Sequence, residues 1–135
     1  MLHSEEIANE FYQNLGKLFY AVAMADKNVR PREVEKLQED VRTYWLDVDH
    51  VTDEFGTDAA YQIEIVFDWL KNEEKESDTY FEEFAEFYHD HPEKFGSKIK
   101  SLILHTCNDI ANSFAGKNKS ELILLSKVQN LFNRD

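Results

Sequence analysis

The chain has 135 residues, 42% of them hydrophobic, with four glycines, two prolines and one cysteine, which suits a single domain over 1–135 that folds without disulfide or metal. Its 27 acidic residues against 15 basic ones give a formal charge of -12, which repels nucleic-acid phosphates and anionic lipid headgroups; such a surface is more often a solubility device, and it also favours basic proteins or hydrated cations as partners. The start has no basic and apolar leader, no stretch reaches the ~18 apolar residues of a membrane span, and the lone Cys107 fits a reducing compartment; no membrane insertion and a cytoplasmic location are expected.

Apolar residues recur at helical spacing throughout, so the chain reads as all-α with six helices. The first, about 4–25, carries Phe11, Leu15, Leu18 and Val22 on one stripe, with Ser4 as its N-cap. The second starts at Pro31, whose missing N–H has no intrahelical partner at a first helical position, and buries Val34, Leu37, Val41 and Tyr44. The third follows an acidic connection, runs from a Thr57 cap or from as early as Asp53, and carries Ala60, Ile63, Phe67 and Leu70. The fourth runs from a Ser77 cap to about His89. Its aromatic series, Tyr80, Phe81, Phe84, Phe87 and Tyr88, has the spacing of a buried face, with a partner groove as the other reading. The fifth, about 95–115, ends near Gly116, and the sixth opens at Asn118 with Leu122, Leu125, Val128, Leu131 and Phe132.

A helix–loop–helix pattern recurs at an offset of 88: Ala23 to Glu33 and Ala111 to Glu121 both span ten residues. Phe11, Leu15, Phe19 and Val22 fall on Ile99, Ile103, Cys107 and Ile110, while Val34, Leu37 and Tyr44 fall on Leu122, Leu125 and Phe132. The domain is therefore expected to contain an internal repeat.

In the first loop, Pro31 places Glu33 third in its helix, where a carboxylate reaches back to a free backbone N–H; Glu121 holds the same place after Asn118. Capping alone explains both glutamates. A functional reading adds Asp26 and Asn28, whose oxygens could join Glu33 around a hard divalent cation. The loop is not an EF-hand, because Leu37 stands where the bidentate glutamate is required and Pro31 where the glycine is required.

The series Ala23-x-Ala25-Asp26-Lys27-x-Val29-x-x-x-Glu33 resembles the Ala-Asp-Gly...Glu signature of TerB-like tellurite-resistance proteins, with Lys27 where glycine is usual. The second copy, Ala111 to Glu121, also fits, with Phe114 at the position of Asp26. The resemblance covers most of 5–45 and 97–133. It implies a compact six-helix domain with an internal repeat, linked to stress and metal-resistance systems and acting as a scaffold or metal sensor. By position it carries over Asp26 and Glu33, and from the second copy only Glu121.

Other constellations carry less. Glu86 and His89 make one Glu-x-x-His, a spacing that di-iron bundles use twice, and His91 could join them in adventitious zinc or nickel binding. Asp47, Asp49, His50, Asp53 and Glu54 form a dense acidic connection, but Val51 and Thr52 occupy places a calcium loop gives to an oxygen ligand and glycine. Cys107 on an apolar stripe reads as an inert hydrophobe. The expectation is a non-catalytic accessory or scaffold domain that binds a protein partner and requires no cofactor. The alternative is a divalent-cation sensor built on Asp26, Asn28 and Glu33, with Glu121 as a weaker second element.

Overall fold

The computed structural model of the chain describes residues 4–48, 58–113 and 119–133. Every regular element among them is helical: α1 (Ser4–Ala23), α2 (Pro31–Thr43), α3 (Gln62–Asn72), α4 (Ser77–Asp90), α5 (Ser97–Asn112) and α6 (Lys119–Asn133), with 3-10 turns at Trp45–Asp47, Ala59–Tyr61 and Pro92–Lys94. These are the six helices of the expected all-α fold. None of them is long and apolar enough to cross a membrane.

The expected apolar stripe of α1 is buried, and its neighbours are buried with it. Tyr12, Leu15, Leu18, Phe19, Tyr20, Ala21, Val22 and Ala23 are all fully enclosed. The last turns of α1, Leu18 to Ala23, are apolar on every side and must be wrapped, and α1 packs against α3, α4, α5 and α6 while α2 lies on α5 and α3. One contiguous core results, joining Phe67, Phe84, Tyr88, Ile103 and Phe132 to α1.

The 88-residue offset survives as a burial pattern. Leu15 and Ile103, Phe19 and Cys107, Val22 and Ile110, and Leu37 and Leu125 are buried pairwise, as are Glu33 and Glu121. Tyr44 departs from its expected buried place. α2 ends at Thr43, so Tyr44 leaves the stripe at 41% exposure and Trp45 turns inward, its indole N–H donating to Thr106 Oγ1 at 3.0 Å. Leu122 is likewise exposed, because α6 turns Glu121, Leu124 and Leu125 inward instead.

Two helix starts differ from expectation. Asp58 caps the turn before α3, accepting the Ala60 N–H at 3.0 Å; the Thr57 and Asp53 alternatives lie outside the described residues, as do the Ser4 side chain, Gly116 and Asn118. Ser77 opens α4 but does not cap it. Its hydroxyl donates to Ala21 O at 2.9 Å, one of the carbonyls that the end of α1 leaves without an intrahelical N–H. The end of α3 is closed by backbone: Lys75 N donates to Leu70 O and Glu74 N to Lys71 O, with Glu74 at φ 52° where glycine is usual.

Gly16 sets the spacing of α1 and α3. A Cβ there would lie 2.8 Å from Ile63 O and 3.0 Å from Val66 Cβ. The nearer atom is helix backbone and cannot rotate away. Helix propensity alone would make Gly16→Ala stabilising by ~1 kcal/mol, but the clash is expected to reverse the sign to a net loss of about 1–3 kcal/mol. Urea unfolding checks this; a gain in stability would show that α3 slides freely on α1.

Candidate functional site

The first loop is built by a helix that stops and another that needs its N-terminus covered. After α1 ends, Lys27 takes φ 69°, the left-handed conformation that favours glycine. Asp26 Oδ1 then accepts the Asn28 backbone N–H at 3.1 Å, and Asp26 Oδ2 meets the Arg30 guanidinium at 2.9 Å. Glu33 Oε1 accepts the Arg30 backbone N–H at 2.8 Å, which is the glutamate half of a capping box. Arg30 cannot supply the other half, because a guanidinium has no acceptor; its carbonyl takes the Glu33 N–H instead, at 3.0 Å. Asp26 and Glu33 are thus held by Arg30 through different atoms, and Asn28 contributes its backbone.

The remaining oxygen of Glu33 turns inward. Oε2 is buried without a nitrogen or hydroxyl donor, and the group it meets is Glu121, from the first turn of α6. Glu33 is 1% exposed and Glu121 2%. Burial, helped by the neighbouring Glu121 carboxylate and opposed by the Arg30 N–H, pushes the Glu33 carboxyl up from 4.5 to about 8. Near neutrality Glu33 therefore keeps its proton and can donate it to Glu121. The repeat had placed these residues at equivalent positions; the fold puts them against each other, so that each half of the repeat supplies one member of a buried acid pair.

A second group lies where α2 crosses α5. His105 and Asp109, one turn apart on α5, are 3.1 Å apart through Nε2 and Oδ2, and Asp40 projects from α2 between Leu37 and Val41 to meet them. One candidate ligand atom from each of the three lies within 4.8 Å of the others, and no other such group of three His, Cys, Asp or Glu residues occurs among the described residues. Asp40 is 2% exposed. Burial and a hydrogen bond shared with Asp109 raise its carboxyl to about 7, against the pull of Lys36, whose Nζ lies 3.8 Å from Oδ1. Sequence reasoning missed this group. Its signals were an aspartate on the apolar stripe of the second helix and His105-x-x-x-Asp109 on the fifth, each too common to single out alone.

The other constellations stay apart. Glu86 and His89 are exposed on α4, and His91 stacks by Phe87 at 4.6 Å between ring centroids. Cys107 is fully buried, and burial alone pushes its thiol far up, which leaves it protonated and inert. Asp49, His50, Asp53, Glu54 and Phe114 lie outside the described residues. A cleft of about 420 Å³ opens between the end of α1, the α3–α4 turn and α6, lined by Met24, Lys27, Glu76, Asp78, Ile123 and Lys127 among others. No protein-family model matches the chain, and no curated protein or solved structure matches it significantly.

The raised carboxyls fix the sign of a pH effect. Glu33 and Asp40 hold protons in the folded chain up to about 8 and about 7, against 4.5 and 3.8 ordinarily. Between these values the folded state binds more protons than the unfolded one, so stability falls as pH rises. The urea midpoint is expected to drop between about pH 5 and about pH 8, and Glu33→Gln to flatten part of that drop. A midpoint that rises over the window, or a slope that Glu33→Gln leaves untouched, would contradict the assignment.

Proposed function

We propose that this chain is a non-catalytic accessory or scaffold domain that works by binding a protein partner, in the manner of the TerB-like stress and metal-resistance domains its loop motifs resemble. The observation that carries the reading is the outer face of α3. Ile65 and Trp69, one helical turn apart, are 53% and 54% exposed in a fold that encloses most of its large apolar side chains. Asp68, Lys71 and Glu73 are exposed beside them and Lys75 Nζ lies 5.6 Å from the Trp69 ring centroid, while the chain as a whole carries a charge of -12. The complementary partner is a basic segment with an apolar stripe, such as an amphipathic helix.

Trp45 is fully buried, so a change in fluorescence on binding reports Trp69. Titration with a synthetic Lys/Leu amphipathic helix is expected to shift the emission to the blue saturably, and Ile65→Ser to weaken binding roughly 10-fold, from the loss of about 1.5 kcal/mol of apolar burial. If polylysine binds equally well and Ile65→Ser changes nothing, charge alone is responsible and the reading fails.

A second reading, a divalent-cation sensor, is favoured by the Glu33–Glu121 pair. Two buried carboxyl groups that meet through a proton can meet instead through a hard cation, and Asp26, with Asn28 on the same loop, joins them on leaving its ion pair with Arg30. Binding to the folded state alone must stabilise it, by about 2.7 kcal/mol at roughly 100-fold excess over Kd. Chelator-stripped protein scanned thermally with Ca²⁺, Mg²⁺ or Mn²⁺ is expected to show a saturable rise that Glu33→Gln and Asp26→Asn abolish. An equal rise in both variants would place the cation elsewhere.

A further inference from the structure

We propose that Asp40, His105 and Asp109 form a site for a borderline transition-metal dication of the zinc or nickel class. The inference is independent of the acid pair at Glu33 and Glu121. Two observations carry it. The first is geometry: candidate ligand atoms on the three side chains lie within 4.8 Å of one another, a spread that one ion can bridge. His105 and Asp109 occupy adjacent turns of one face of α5, and α2 supplies Asp40 from across the interface.

The second is the state of Asp40. Its side chain is 2% exposed, and Oδ2 is buried with no nitrogen or hydroxyl donor beside it. The side chains it faces across the interface, Asp109 and His105, each hold a candidate ligand atom within 4.8 Å of one on Asp40. A buried carboxylate oxygen without a donor, on a side chain that sits within ligand distance of a second carboxylate and an imidazole, is an arrangement that a cation completes.

The donor set chooses the class of ion. Two carboxylates alone would suit calcium or magnesium, but an imidazole suits zinc, nickel and cobalt. His105 is about half exposed, 49% by its side chain, and Asp109 is 24% exposed, so an ion can enter from solvent and keep water in its remaining positions. Tyr44, displaced from the core, packs its ring edge-on against His105 at 5.2 Å between centroids and limits how the imidazole turns. Lys36 opposes binding. Its ammonium lies 3.8 Å from Asp40 Oδ1 and 3.4 Å from Glu39, so an incoming dication meets a fixed positive charge.

The experiment is a Co²⁺ titration of the chelator-treated full chain, read by visible ligand-field absorption and followed by displacement with Zn²⁺. Saturable absorption is expected, with His105→Ala and Asp40→Asn each weakening both ions at least ~10-fold. Lys36→Gln is expected to tighten them several-fold, a gain that misfolding does not produce. Glu33→Gln, and His89→Ala with His91→Ala, should leave the titration unchanged, which separates this site from the acid pair and from adventitious surface histidines. Absorption that persists undiminished in His105→Ala, disappears with His89 and His91, is displaced as readily by Ca²⁺ or Mg²⁺ as by Zn²⁺, or never develops would overturn the proposal.

Discussion

Enclosure of the C-terminal half of α1 on all sides is the constraint from which the rest of the architecture follows. Eight residues between Tyr12 and Ala23 have no exposed surface, and each large apolar side chain among them contributes about 1.5–3 kcal/mol by leaving water. That gain is available only if four other helices surround α1 and if the polar groups drawn inside find partners. Asn14 donates to Glu10 O at 2.8 Å, the Tyr20 hydroxyl to Lys75 O, and Ser77 to Ala21 O. The last two tie the end of α1 to the α3–α4 connection. A cap on α4, worth ~1 kcal/mol, is outweighed by satisfying a carbonyl at the end of the central helix.

The same enclosure explains why an acidic protein carries acids inside. With α1 at the centre, the helices that follow the two loops begin near it, and the third residue of each first turn points inward. Glu33 does so in α2 and Glu121 in α6, where the two carboxyl groups meet each other. Protonation is the available compensation, which is why Glu33 is pushed up rather than down despite accepting the Arg30 N–H. Asp40 follows the same logic at the α2–α5 interface, with Lys36 too far and too exposed to hold it ionised. These interior acids join helices from opposite halves of the repeat, so their protonation bears on how the two halves meet.

Legibility in the sequence differed between elements for physical reasons. The stripes of the first, third and fourth helices were readable because periodicity reports a buried face directly: Leu15, Ile63, Phe67 and Phe84 all lie in the core. Tyr44 and Leu122 were misplaced because periodicity says nothing of where a helix ends or rotates by a fraction of a turn. Gly16 sat in plain view inside a helical pattern, yet its meaning depended on the Ile63 carbonyl of another helix. Of the loop residues, capping by Glu33 followed from its distance to Pro31, whereas the Asp26–Arg30 ion pair needed the loop's actual path.

What the sequence by itself determined is local and periodic: an all-helical chain, a loop pattern recurring at an offset of 88, Pro31 and Glu33 at the start of a helix, and an acidic surface. These follow from backbone geometry and side-chain spacing, which act over a few residues. Only the tertiary structure decided which acids lose water and meet. Glu33 and Glu121 are 88 positions apart and Asp40 lies 65 from His105, so their proximity depends on how separate helices pack around α1. Desolvation, which sets whether such a group holds a proton or can receive a cation, belongs to that packing and has no counterpart in the order of residues.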